Sequence, residues 1–305
     1  MAVDCNGADL GAAEVAAGAA LAAVQGASVL LFGPAAQLQT GRLPEGVEVM
    51  DAPISIAKSA DPVSAVRSTP EASIVQAARA VADGRAQALV CAGGTGAALA
   101  AGLFNVKRAR GIYRPALAIP LPIPGRAGGH SVIFLDVGAN AEARREHLVQ
   151  FAFMGAALAQ TVLGVESPRV GLLSNGEEAA RGGMLIVETG EELAEKAGRG
   201  EAMRFVGNVE GGDVVSGAAD VIVTDGLTGN IALKLMEGVS QTLLRAVRDA
   251  AMASTRAKLG GVLLAPALRG VRDELDPEQQ GGAYLLGLRS LGVVPHGRFT
   301  RKGFA

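Results

Sequence analysis

The sequence predicts a three-layer α/β fold, in which a mainly parallel sheet is covered on both faces by helices and carries a helical extension. Two observations lead there. Short, almost wholly apolar runs alternate with Ala/Leu-rich stretches of helical length, which is how strands buried on both faces read. Five of these six runs then pass directly into a polar, Gly-containing loop. In open parallel sheets the carboxyl ends of the strands form the ligand crevice.

Taken in order, the strand Met1–Asp4 runs into Cys5-Asn6-Gly7-Ala8-Asp9, and Ser28–Phe32 is a further strand. Ala86–Cys91 leads into Ala92-Gly93-Gly94-Thr95-Gly96, and Ser131–Leu135 into Asp136-Val137-Gly138-Ala139-Asn140. Arg169–Leu173 leads into Ser174-Asn175-Gly176-Glu177-Glu178, and Val221–Thr224 into Asp225-Gly226-Leu227-Thr228-Gly229-Asn230. The intervening helices are expected at Gly11–Gln25, Pro70–Asp83, Ala97–Ala109, Arg145–Leu163 and Gly229–Ala253. Turn chemistry alone explains one Gly-containing loop. It does not explain Asp, Asn, Thr and Glu recurring at the same end of five strands.

The 305 residues, 49% hydrophobic and 19% charged, suit one domain over 1–305, allowing two lobes. A formal net charge of −2 argues against nucleic acid as a partner. Cys5, Cys91 and three histidines form no metal-ligand spacing, so no metal is expected. The opening Met1-Ala2-Val3-Asp4 has no basic leader, and no apolar run reaches membrane-spanning length, so the expected location is cytoplasmic.

A glycine-preceded helix start offers free amides and a positive dipole end to an anion. Gly93-Gly94-Thr95-Gly96 and Thr228-Gly229-Asn230 have that form, while the dinucleotide and Walker spacings are absent. Phosphate, or a phosphate-bearing group, is therefore the expected ligand. Asn230 is expected at the helix start after an N-cap at Thr228, with Lys234 one turn further on the same face. Cys91 is either a nucleophile or a small core residue, and His296 either catalytic or structural. Ile231, Leu235, Val239, Leu243 and Val247 make an apolar stripe, so the long helical segment over 229–275 is expected to serve dimer or membrane contact. Lys258–Arg269 is an apolar run flanked by cations, with Leu259, Val262, Leu263, Leu264 and Leu268 placed to meet lipid.

Read together, the loops resemble the phosphate acyltransferase family of phospholipid synthesis along nearly the whole chain. Asp4–Asp9, Ala92–Gly96, Gly111–Leu117, Leu135–Asn140 and Gln150–Gly155 resemble its motifs in order. Arg169–Glu178, Gly207–Gly211, Asp225–Asn230, Gly281–Gly287 and His296-Gly297 continue the series. Asn6, Ala8, Leu10, Gly94 and Ser174 depart from the family's usual Met, Gly, His, Asn and Asn.

The resemblance implies a fold like those of isopropylmalate dehydrogenase and phosphotransacetylase. It implies transfer of a fatty acyl group from acyl carrier protein to inorganic phosphate, with no cofactor. The implied partners are acyl carrier protein, a second copy of the chain, and a membrane surface or the membrane glycerol-3-phosphate acyltransferase. The expected catalytic residues are Asn230, Lys234 and Arg181, the last at a position where the family carries a cation. Substrate or phosphate contacts are expected from Asp4, Gly7, Gly93, Gly94, Thr95 and Gly96 on the early loops. Asp136, Gly138, Asn140, Asn175, Gly176 and Glu177 are expected to add to them, with Asn208, Asp225, Gly226, Gly229 and His296 later in the chain. Lys107, Arg108, Arg110 and Arg114 are expected to receive the acidic carrier. Alternative readings are a phosphotransacetylase-like or isopropylmalate-dehydrogenase-like enzyme, or a non-catalytic binding homologue.

Overall fold

The structure is a computed structural model that describes residues 1–39, 43–123, 131–200, 202–274, 276–279 and 281–305. Its strands are β1 (Ala2–Asp4), β2 (Val29–Gly33), β3 (Val47–Asp51), β4 (Ala88–Cys91), β5 (Ala116–Pro122), β6 (Ser131–Leu135), β7 (Arg169–Leu173), β8 (Arg204–Val209), β9 (Val221–Val223), β10 (Ala283–Leu286) and β11 (Leu291–Val294). Its helices are α1 (Ala12–Val24), α2 (Ala35–Leu38), α3 (Pro62–Ser68), α4 (Ser73–Ala82), α5 (Thr95–Ala101), α6 (Arg145–Val162), α7 (Gly183–Ala197), α8 (Gly226–Met252), α9 (Thr255–Glu274) and α10 (Arg301–Phe304). The chain forms two compact units, Met1–Ile119 with Gln280–Ala305, and Pro120–Gln279.

In the first unit the strand order is β3-β2-β1-β4-β11-β10-β5. The first five are parallel, and β10 runs antiparallel to both β11 and β5. Successive side chains of a strand face opposite ways, and β1 shows the consequence. Val3 packs into a buried cluster with Val15, Ala16 and Ala19 of α1. Its neighbour Asp4 accepts a hydrogen bond from Ser73 at the start of α4. Helices therefore cover both faces.

In the second unit β6-β9-β7-β8 are all parallel. Ile222 of β9 is in register with Phe134 on one side and Gly171 on the other. α6 lies close on this sheet because Gly155 carries no side chain. A β-carbon there would come within 2.6 Å of Val221 Cγ1 and 2.9 Å of Leu135 Cδ2.

The long helical segment consists of two helices. α8 starts three residues before the expected Gly229, and α9 follows after a break at Ala253-Ser254. Along α8 the stripe Ile231, Leu235, Val239, Leu243 and Val247 is exposed, as are Leu259, Val262, Leu263 and Leu264 on α9. The side chain of Leu268 lies outside the described residues. The helix expected over Ala97–Ala109 is shorter. α5 passes into a π-helical turn, Gly102–Val106, which ends at Lys107 with φ 70°.

Candidate anion site at the strand carboxyl ends of the second unit

Neighbouring strands lie about 4.8 Å apart, so the loops after β6, β9 and β7 share one edge of the second unit. The middle one, between β9 and α8, is built on close approach. A β-carbon on Gly226 would sit 2.5 Å from the Asn140 carbonyl oxygen, and one on Gly229 would overlap the Asp136 carbonyl. The two glycines let α8 start against the loop after β6. That loop is organised by Asp136, which is fully buried. Its carboxylate accepts from the backbone amides of Gly138, Ala139 and Asn140 and from the Asn140 side chain, at 2.8 to 3.1 Å.

This packing corrects two expectations. The cap of α8 is Asp225, not Thr228; its carboxylate accepts from the Leu227 and Thr228 amides at 3.0 and 2.9 Å. Gly226 N–H donates to Asn140 O at 2.8 Å and Gly229 N–H to Asp225 O at 2.9 Å. All four leading amides of α8 are thus satisfied, and the cap already places a carboxylate at the positive end of the helix. The backbone of Thr228-Gly229-Asn230 is not an open anion site. Asn230 is the fifth residue of the helix rather than its first. Its side-chain Nδ2 donates to Val137 O at 3.2 Å, and a β-carbon on Gly138 would come 2.7 Å from that Nδ2. Lys234 is exposed, one turn further along α8.

An open helix start lies one strand over. α7, of 15 residues, begins after Gly182 in the left-handed conformation, with no side-chain cap. Among the described residues the amides of Gly183, Met184 and Leu185 make no hydrogen bond. Beside them stands the Ser174 hydroxyl, buried and without a hydrogen-bond partner among the described residues. It lies 2.7 Å from where a β-carbon on Gly182 would be. A buried hydroxyl left unpaired costs about 1 to 3 kcal/mol, so this one is free to donate to a bound oxyanion or water. Arg181 crosses over Gly176 and pairs with Glu178 at 3.4 Å, both side chains being largely exposed. Asn175 and Glu177 are exposed, and Asn208 Nδ2 donates to Glu178 O at 2.9 Å. A hydroxyl, free amides and a guanidinium form a donor set suited to a multiply charged oxyanion. Sequence reasoning expected phosphate and thioester to meet between the loops Ser174–Glu178 and Asp225–Asn230, but gave Ser174 itself no role and did not find α7. The signal was the Gly182-Gly183 pair before Met184-Leu185-Ile186-Val187.

The expected residues of the first unit form an interior network instead. Asp4, 2% exposed, accepts from Ser73 Oγ at 2.6 Å and Asn6 N–H at 3.2 Å, and Cys91 Sγ is 3.6 Å from its Oδ2. Asn6 Nδ2 in turn donates to Ser73 Oγ and Ala52 O. Burial raises the Asp4 pKa to about 6, against the pull of these hydrogen bonds. Burial and then the Asp4 charge push the Cys91 thiol well up. Cys91 is thus a core thiol and not an available thiolate, and Asp4 organises its loop from behind.

The glycines Gly7, Gly93 and Gly94 are explained by Ala57. A β-carbon on Gly7 would meet Ala57 Cβ at 2.5 Å, one on Gly93 would meet it at 2.9 Å, and one on Gly94 would overlap Ala57 O. An Asn cannot enter at 94 without moving Ala57. Thr95 and Gly96 open α5, which is only seven residues long. His296 is exposed and stacks on Phe299 at 6.2 Å.

Fold and site together define a doubly wound α/β protein with a candidate anion site at the carboxyl ends of strands of its second unit. Its fold is similar to that of EutD phosphotransacetylase from Staphylococcus aureus (TM-score 0.63, 18% identity, covering 99% of this chain and 90% of that one). The sequence profile of the family described as "Fatty acid synthesis protein" matches residues 1–305. A phosphate acyltransferase of Levilactobacillus brevis is 43% identical over 305 residues, covering 97% of this chain and 86% of that protein. One of Bacillus licheniformis is 44% identical over 195 residues, 64% of this chain and 57% of that protein. The match thus spans little more than half of the Bacillus relative's length. The chain belongs to the phosphate acyltransferase family.

Proposed function

We propose that the protein transfers a fatty acyl group from acyl carrier protein to inorganic phosphate, giving an acyl phosphate for phospholipid synthesis. The observation that carries this reading is the unpartnered Ser174 hydroxyl at the uncapped start of α7. Phosphate held there accepts from the Ser174 hydroxyl and the α7 amides, and Arg181 exchanges Glu178 for two parallel bonds to its oxygens. A phosphate oxygen attacks the thioester carbonyl carbon, and the electron pair of the C=O bond moves onto oxygen. Collapse of that oxyanion breaks the C–S bond and releases the carrier thiolate. Such a thiol has a pKa of about 8.5 and leaves with little acid assistance.

The Asn230 amide, in the second turn of α8, donates to the oxyanion, and Lys234 adds positive charge one turn away. A preorganised donor of this kind is worth about 3 to 4 kcal/mol. Asp136, Gly226 and Gly229 hold Asn230 in place by fixing α8 to the loop after β6.

A second copy of the chain covers the exposed α8 stripe, whose aliphatic residues repeat every turn. The apolar stretch Leu259–Leu264 of α9 rests on a lipid surface where the lipophilic product is delivered, with the protein otherwise cytoplasmic. Among the described residues no helix is long and apolar enough to cross a membrane. The test of the activity is turnover by purified protein supplied with phosphate and either acyl carrier protein thioester or coenzyme A thioester. Acyl phosphate from the carrier thioester supports the reading. Exclusive use of coenzyme A favours a phosphotransacetylase-like reaction, and absence of both favours a binding role.

A further inference from the structure

From Gly84 to Leu135 the chain holds no Asp or Glu, although 30 occur in the whole sequence. Four cations of this stretch, Lys107, Arg108, Arg110 and Arg114, follow where the helix begun at Thr95 ends. The π-helical turn Gly102–Val106 stops at Lys107, whose positive φ of 70° turns the chain sharply outward. Lys107, Arg110 and Arg114 are exposed there. Arg289, also exposed, is brought alongside by its N–H donating to Lys107 O at 3.0 Å. Arg67 of α3 lies over the Phe104 ring, 4.6 Å from its centroid. Among the described residues none of these five cations takes part in an ion pair.

Arg108 has a different task. Its guanidinium donates to the carbonyls of Ile112 and Tyr113 and so holds the loop that presents Arg110 and Arg114. Phe104 and Tyr113, 40% and 54% exposed, add aromatic surface within the patch.

Five unpaired cations held at the end of one helix repel one another, and an acidic partner removes that cost. The patch is local, on a chain of net charge −2. Such a chain offers no overall basic surface to duplex nucleic acid, whereas a local patch suits a compact acidic partner. A bilayer is better served by the exposed aliphatic residues of α9 than by two aromatic rings, one of them covered by a guanidinium. We propose that Arg67, Lys107, Arg110, Arg114 and Arg289, around Phe104 and Tyr113, form the docking surface for an acidic helix of the carrier protein that delivers the acyl thioester. This rests on the function proposed above.

The test compares wild type with Arg110→Glu/Arg114→Glu/Arg289→Glu, and with the milder Gln triple variant, which keeps the loop held by Arg108. Binding of unacylated acyl carrier protein is titrated at low and high ionic strength, and KM is measured separately for acylated carrier and for phosphate. The expected result is binding at least about tenfold weaker in the Glu variant, with an intermediate loss in the Gln variant. The loss of affinity with salt should be steep in wild type only. KM for acylated carrier should rise about tenfold, with KM for phosphate and the limiting rate unchanged. Carrier binding through the patch without acyl phosphate formation would sink the functional reading and leave the dock standing. Normal carrier affinity in the Glu variant, equal changes in both KM values, or selective loss of binding to anionic vesicles or to duplex DNA would each overturn the dock.

Discussion

Gly229 lies directly against Asp136: a β-carbon at position 229 would overlap the Asp136 carbonyl oxygen, itself part of the loop that Asp136 organises. The obstacle is backbone, which cannot rotate away. Gly229→Ala is therefore expected to destabilise the protein by about 3 kcal/mol or more and to lower turnover with it, because α8 must move. Urea denaturation alongside the turnover assay checks this, and a variant of unchanged midpoint would show that the loop yields freely.

The buried Asp4 carboxyl gives a pH signature. Its pKa rises from 3.8 to about 6 on burial, so the folded protein holds that proton more tightly than the unfolded chain. Its stabilising contribution is complete below pH 4 and is lost as the pH rises through about 6, a difference of about 3 kcal/mol. In Asp4→Asn that titration is gone. The stability difference between wild type and variant should then change by this amount between pH 4 and pH 7. Parallel stability profiles across that range would contradict the burial-shifted carboxyl.

Asn230 separates catalysis from folding. Among the described residues its side chain makes one hydrogen bond, the 3.2 Å donation to Val137 O. Asn230→Ala should lower the turnover number by about 100-fold, the loss typical of one oxyanion donor, with the thermal midpoint changed by only a few degrees. Near-normal turnover would reject this role.

The exposed α8 stripe predicts assembly. Leu235 and Leu243, 65% and 63% exposed, lie two turns apart on it. Sedimentation should show a dimer at micromolar concentration, and Leu235→Asp/Leu243→Asp a monomer. A wild-type monomer under those conditions would remove the second copy from the account.

Much of the fold was legible in the sequence because buried parallel strands are continuous apolar runs. β6 and β7 fall on the predicted residues, and β1, β4 and β9 within one or two. Strands of other composition escaped. β3 is half polar, β5 contains Pro120 and Pro122, and β8 carries Gly207 at φ 90°. The site was legible as a set of loops but not as contacts. Two good caps, Asp225 and Thr228, compete at the start of α8, and only the approach of the helix to Asn140 decides between them. The free start of α7 was hidden because Gly182-Gly183 reads as a turn, and an orphaned hydroxyl at Ser174 is a property of packing. The glycines of the first loops suggested a phosphate cradle, while the chain at Ala57, remote in sequence, is what requires them.

We propose that phosphate sits at the start of α7, held by Ser174 and Arg181. The most direct measurement of this is phosphate saturation at fixed, saturating acylated carrier in wild type, Ser174→Ala and Arg181→Ala. Each substitution should raise KM for phosphate by about tenfold or more, the worth of one charge-assisted or buried hydrogen bond. KM for the acylated carrier and the thermal midpoint should stay close to wild type. Phosphate saturation unchanged in both variants would contradict the claim.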